Sequence, residues 1–390
     1  MSTSTVCLAS ASCDLNRSRG NPSHSSVPTS IHYLAVLAIH FPTTKTVPLT
    51  CHGHSRPITH VSFSSLPAST ANSAAPSSQY YMISACKDNN PMLRDGLTGD
   101  WIGTFIGHKG AVWSSKLSED ASLAATGSAD FSAKVWDTFT GECITTLAHE
   151  HIVRSVAFPP VSGRVGVLAT AGMEKKLRVF DLSRATGGDP TANGSPYTNG
   201  AGNGSTSTTN GSTSTPSYEI APGEHQGAIK SLIWSHQDPN LLSTAADDKQ
   251  LRWFDLRVPT PIATYTLPAL PATTSTNDPT GTLSVAAGKN LYFFHPTQPG
   301  LLTKHIATQR DVASVALDAA ETRFVTGCPS DTWVHVWDYA TGEVVETGRG
   351  HHGPVWTTAW SPDGRIYATG SEDGTVKLWK AGEGGYGLWR

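Results

Sequence analysis

The chain has 390 residues, 38% of them hydrophobic and 15% charged, with 36 Gly and 25 Pro. That turn-rich composition suits a β-rich scaffold, and its net charge of −3 offers no general field for nucleic-acid phosphates, although local basic patches remain compatible with it. The six cysteines, Cys7, Cys13, Cys51, Cys86, Cys143 and Cys328, include no C-x-x-C pair. This argues against a zinc site and a disulfide framework, and a reducing compartment is the simplest fit.

Residues 1–45 are Ser/Thr-rich and carry Arg17 and Arg19 against the single acid Asp14. They read as a disordered extension, with a targeting peptide or a start placed too far upstream as alternatives. The apolar run from Ile31 to Phe41 is too short to span a bilayer and sits late for a signal peptide. From residue 46 onward the chain repeats. The strings TGSADFSAKVWD, ending at Asp137, and TGSEDGTVKLWK, ending at Lys380, are two copies of one unit. Aligned units end at Asp95, Asp137, Asp181, Asp255, His295, Asp338 and Lys380, with intervals of 42, 44, 74, 40, 43 and 42 residues. The long interval holds a Gly/Asn/Ser/Thr-rich insertion at about 184–217, and removing roughly 34 residues restores the common spacing. Seven units therefore fill residues 46–390. Within the last unit, PVWTTAW, IYATGS and TVKLWK are short β-branched or aromatic segments split by the turns SPDG and EDG. Such a unit cannot bury both faces alone, so neighbours must stack and the ring must close. A 40–45-residue repeat with a Gly-His start and a Trp-Asp end resembles the WD40 family, which implies an all-β, seven-bladed propeller. The stretch Thr46–Cys51 precedes Gly53-His54 as an outer strand would and is expected to close the ring on the last blade. Residues Leu66–Gln79 are expected to form a surface loop.

A polar set recurs in the better-kept units: His108, Ser128, Asp130 and Trp136 in the second, and His351, Ser371, Asp373 and Trp379 in the seventh. Ser, His and Asp together suggest a hydrolase triad. A constellation repeated around a ring is instead a structural device, with His expected to bridge the turn Asp and the strand Ser. The third unit has Glu174 in place of Asp, and the fourth keeps His225 and Asp248. The fifth has Gly288 at the acid position, and the sixth keeps Asp331 and Trp337 without Gly-His. Blades five and six are accordingly expected to be held mainly by packing. The sequons at Asn193, Asn203 and Asn210 lie in low-complexity sequence without a secretory signal and are not expected to be glycosylated. The pairs His149/His151 and His351/His352 are not expected to hold metal, since one His of each is committed at a blade start.

Recognition is expected where strand starts and Gly-His loops gather. Thr59, Trp113, Arg154, Lys230 and Trp356 begin the inner strands, Arg56 and Lys109 sit in the loops before them, and Lys87, Met173, Asp247 and Glu372 precede the turn acids. Trp and Arg are favoured interface types, while packing between blades is the equal alternative for Trp113 and Trp356. Tyr386–Trp389 is read as anchoring the tail to the ring or contacting a partner. A direct RNA-binding reading rests on Arg56, Lys109, Arg154 and Lys230 as one basic patch with Trp113 and Trp356 available for stacking. No P-loop, nucleotide-binding glycine motif or metal-ligand spacing is present, so no enzyme activity, cofactor, metal or small-molecule substrate is expected.

From about Val47 to Arg390, segments such as ISACKDNNPMLRDGLTGDWIGTFIGHKGAVW, ADDKQLRWFD and the terminal YGLWR resemble the serine/threonine kinase receptor-associated protein family, also called unrip. The extension and the insertion lie outside its pattern. The resemblance implies a non-enzymatic adaptor, an accessory subunit of the survival-of-motor-neuron complex that loads Sm proteins onto spliceosomal small nuclear RNAs. Gemin and Sm proteins are then the expected partners, with RNA met only through the complex and no membrane. The expected compartment is the cytoplasm, with the nucleus in addition, and in animals the family also dampens transforming-growth-factor-β signalling through Smad partners. The related subunit i of eukaryotic translation initiation factor three is the alternative.

Overall fold

A computed structural model describes residues 47–66, 79–159, 166–183, 215–276 and 280–381. Residues 1–46, most of the insertion and of the Leu66–Gln79 loop, and the Tyr386–Trp389 tail lie outside the described residues. The described chain forms 28 strands in seven four-stranded antiparallel sheets, each a blade of one propeller. The inner strands are Ile58–Phe63, Val112–Leu117, Val153–Ala157, Ile229–Trp234, Pro271–Thr276, Ser314–Leu317 and Val355–Trp360. Each touches the next around the axis, and the seventh touches the first. No helix among the described residues is long and apolar enough to cross a membrane.

Each blade is one repeat because three hairpins suffice to pair four strands in sequence order. The seventh is the exception. Its outer strand, Leu49–Cys51, comes from the start of the propeller and pairs antiparallel with Val376–Lys380. Cys51 and Leu49 pack there with Ile58, Met82, Ile366 and Leu378, so one apolar cluster joins the two ends of the ring. Closure removes the open edge that a seven-sheet array would otherwise present.

A hydrogen bond ties every pair of neighbouring inner strands. Ser62 donates to the Ser115 carbonyl at 2.9 Å, the Val156 and Leu232 amides donate to Ser114 and Ser155 at 3.3 and 3.0 Å, and Ser231 meets Thr274. Ser275 donates to the Val315 carbonyl at 2.7 Å, Trp360 to the Ala316 carbonyl at 2.9 Å, and the Val61 amide to Thr357 at 3.2 Å. In six blades the register slips at one point near the start of the inner strand, between residues 58/60, 112/114, 153/155, 229/231, 271/273 and 355/357. The skipped residues are Thr59, Trp113, Arg154, Lys230, Ala272 and Trp356. A bulged residue leaves the ladder and its side chain is re-aimed. These inner-strand bulges, in six of the seven blades, therefore place the six residues at the same end of the ring.

Candidate functional site: the bulge-bearing face

The polar sets underlie this face. In blade two His108 Nδ1 lies 2.8 Å from Asp130 and Nε2 lies 2.7 Å from the Thr126 hydroxyl, which also receives the Trp136 indole N–H at 2.8 Å. Blade seven repeats this with His351, Asp373, Thr369 and Trp379 at 3.0, 2.8 and 2.8 Å. The hydroxyl bridged by His is thus Thr126 or Thr369, and the expectation of Ser128 and Ser371 is corrected. Those serines cap the turn instead, donating to the Gly110 and Gly353 carbonyls and accepting the Asp130 and Asp373 amides. Residues 126 and 128 share one side of the strand, and the deeper one meets the His and Trp rings. An ionised carboxylate only accepts, so Nδ1 carries the imidazole proton and Nε2 accepts from Thr. Burial holds both imidazoles below the usual histidine value although the Asp partners pull upward.

The Thr126–His108–Asp130 order mimics a nucleophile, a base and an orienting acid. Thr126 is fully buried and its oxygen is already engaged by two partners, so the arrangement braces the blade. Blade one repeats it with Ser84, His54 and Asp88, and Cys86 takes the turn-capping position. His54, Cys86 and Asp88 have ligand atoms within 4.8 Å of one another, the only such trio among the described residues. The Cys86 thiol donates to the Arg56 carbonyl at 2.9 Å, and burial pushes it up to about 12, which keeps it a thiol.

The weaker blades vary the same device. His149 faces Glu174 at 3.3 Å, where burial works against ionisation but the His149 and Glu150 hydrogen bonds and Arg178 hold the carboxyl at about 2. In blade four Arg252 reaches Asp248 at 2.8 Å and crowds His225, and burial followed by that guanidinium lowers the imidazole to about 4. Blade five packs Tyr292 and Phe294 against Trp253 and Tyr265 of blade four. Blade six, expected to be held mainly by packing, adds polar contacts: Arg310 stands where other blades have the histidine and pairs with Asp331, and Trp337 donates to Thr326 at 2.8 Å.

Above these braces the bulged residues meet the ends of the turns. The Arg154 guanidinium lies 3.9 Å from the Trp113 ring centroid and the Lys87 ammonium 5.9 Å from it, so blades one, two and three contribute to one cation–aromatic cluster. Lys230 pairs with Asp247 at 2.8 Å, and the same carboxylate acts on Arg154. Trp356 is exposed and donates its indole N–H to Glu372 at 2.6 Å, while Thr59 donates to the Val112 carbonyl at 2.6 Å. Arg56, Lys109 and Met173 are exposed on this face. The structure thereby brings together Lys87, Trp113, Arg154, Asp247 and Lys230, and ties Trp356 separately to Glu372. Packing and recognition are not exclusive for Trp113, which is half-buried against Arg154 while its indole N–H is buried without an acceptor.

Two features escaped the sequence reading. Trp333 lies under Arg349 at 4.2 Å and near Arg310 at 5.9 Å, a second cluster on blade six. Phe131 follows the turn acid of blade two at φ 65°, where other blades place Asn89, Lys175, Lys249 and Gly374 in the same left-handed region. A bulky residue there costs about 1 kcal/mol, and Phe131 recovers little of it, being 46% exposed. Superposing the residues after the turn acids would have exposed it. Along the axis, the inner strands enclose a cavity of about 160 Å³ lined by His60, Thr273, Ser314 and Thr358 among others.

The family model described as "WD domain, G-beta repeat" matches residues 99–137, 141–181 and 342–380. The chain is 38% identical over 344 residues to the "Serine-threonine kinase receptor-associated protein" of Gallus gallus, covering 88% of this chain and 85% of that one. It is 36% identical to the protein of that name from Homo sapiens, with 88% and 85% covered, and 36% identical to that from Dictyostelium discoideum, with 85% and 98% covered. Identity to the "Eukaryotic translation initiation factor 3 subunit I" of Caenorhabditis briggsae is 26%, over 85% and 95% of the two chains. With seven blades in place and identities of 36–38% spanning the propeller, the chain belongs to the serine-threonine kinase receptor-associated protein family of WD40 scaffolds.

Proposed function

We propose that the chain is a non-enzymatic adaptor that serves as an accessory subunit of the survival-of-motor-neuron complex, in cytoplasmic assembly of spliceosomal small nuclear ribonucleoproteins. The observation that carries this is the identity of 36–38% to the receptor-associated proteins, against 26% to the initiation-factor subunit over a similar span. The bulge-bearing face supports an adaptor physically, since it presents Trp and Arg side chains on a rigid ring. Gemin and Sm proteins are the partners this reading names, RNA enters through the complex, and residence is cytoplasmic with a nuclear share. Receptor association, which the relatives' name states, is a further role in animals.

Affinity purification of the tagged chain from its native cells, with mass spectrometry after a salt wash, tests this. Co-purification of Gemin and Sm proteins is expected. Recovery of initiation-factor-three subunits would make the chain a translation-factor propeller instead, and recovery of neither set would overturn the reading.

A further inference from the structure

We infer that the sector of the bulge-bearing face over blades one to three takes an acidic segment of a protein partner that also carries an apolar side chain. The inference rests on the adaptor reading and names the chemistry of one partner. Three observations converge on the sector.

Its accessible charge is positive although the chain as a whole carries −3. Among the described residues Arg56, Lys87, Lys109 and Arg154 make no ion pair with a carboxylate. The acids of the same turns are turned inward, with side chains only 8%, 13% and 5% exposed at Asp88, Asp130 and Glu174, each held by its histidine. Of the acids that do face solvent nearby, Glu150 is matched by Lys176 and Arg178, and Asp247 by Lys230. A ligand approaching this sector therefore meets cations without carboxylate partners, while the carboxylates are either turned inward or already matched by a cation.

The second observation is Trp113, whose buried indole N–H has no acceptor and whose ring lies under Arg154. A carboxylate at this point has guanidinium donors already oriented by the ring, which is the preorganised geometry that acidic side chains favour. The third is Phe131. The Lys109 amide donates to Asp130, the residue before Phe131, at 2.9 Å, so the loop that carries this lysine is tied to the turn that carries the ring. The Phe131 side chain is exposed, makes a tilted ring contact with His151 at 5.3 Å, and sits on a backbone that Gly would adopt without strain. Strain that the fold does not use points to a contact outside the fold. An acidic protein segment fits better than single-stranded RNA, because Arg154 covers the Trp113 ring that a base would stack on and Phe131 asks for an apolar partner.

The test uses the purified full chain and fluorescence anisotropy with a labelled twelve-residue Asp/Glu peptide bearing one central Leu. A Lys-rich peptide and an oligouridylate of equal charge serve as comparisons. Micromolar binding of the acidic peptide that weakens with salt is expected, together with at least tenfold loss in Arg154→Glu and Lys109→Glu. Phe131→Gly is expected to lose about threefold or more while its urea midpoint stays the same or rises, a combination that a purely structural Phe131 would not give. If Arg154→Glu fails to fold, Lys109→Glu, an exposed position, carries the charge test alone. Absence of peptide binding at low salt, unchanged affinity in Phe131→Gly, or tighter binding of oligouridylate would overturn the inference. The two readings separate in cells: an intact complex recovered with Arg154→Glu refutes this site and spares the adaptor role, whereas the wild-type chain recovering no complex refutes the adaptor role.

Discussion

Replacing Thr126 by Val keeps the shape of the side chain and removes its hydroxyl, which is the sharpest test of how the polar braces work. In the native blade that oxygen accepts the Trp136 indole N–H at 2.8 Å and donates to His108 Nε2 at 2.7 Å, and Thr126 is fully buried. The substitution therefore strands one donor and one acceptor where water cannot replace them. Each unsatisfied group costs about 1–3 kcal/mol, so the pair should cost about 2–6 kcal/mol. Ser128→Ala also loses two bonds, to the Gly110 carbonyl at 3.0 Å and from the Asp130 amide at 3.1 Å, but both lie at the part-buried turn where water can replace them, so it should cost less, about 1–2 kcal/mol. Urea unfolding followed by circular dichroism and tryptophan fluorescence would measure both. In a His108→Ala background the added cost of Thr126→Val should shrink by at least about 1 kcal/mol, because one of the stranded partners is already gone. A Thr126→Val cost below about 0.5 kcal/mol, or one smaller than that of Ser128→Ala, would refute the assignment of the bridge to Thr126.

Three further outcomes follow from the same geometry. Burial lowers His60 to about 3 and, with Arg252, His225 to about 4, and it also lowers His108 and His351. The unfolded chain therefore binds more protons below about pH 6.5, and stability should fall by about 1.4 kcal/mol per pH unit for each such group until its folded value is reached, read as a falling urea midpoint between pH 6.5 and 4. In the lower range, the hydrogen bonds that outweigh burial at Asp88 and Glu174 hold both at about 2, so their contribution is lost as the pH falls through that value. Gly227→Ala would place a Cβ 2.4 Å from the Asp248 amide nitrogen, a backbone atom that cannot swing aside, and should cost about 2 kcal/mol or more in the same denaturation assay. Cys51→Asp would bury a carboxylate in the cluster that joins first and last blades, and should cost about 3 kcal/mol or more, with amides of Val376–Lys380 exchanging faster than those of blade two.

Repetition made much of this protein legible without a structure. A spacing near 42 residues, seven endpoints and a stretch before the first Gly-His were enough for the blade count and the closing strand, because a repeat that cannot bury itself has few ways to be satisfied. The same alignment located the His-to-Asp interval in blades two and seven and picked out Thr59, Trp113, Arg154, Lys230 and Trp356. What it could not rank were positions that the period-two strand treats alike. Thr126 and Ser128 share a side, and only the depth at which His108 and Trp136 enter decides which hydroxyl they meet. Nor could it see that one-residue bulges turn the inner-strand starts toward a common face, or that Arg310 takes over for an absent histidine, since both depend on what the neighbouring strand and turn supply. Local pattern determined which strands exist and how many blades they form, and the packing of blade against blade decided which polar atoms are braced and which side chains are left to meet a partner.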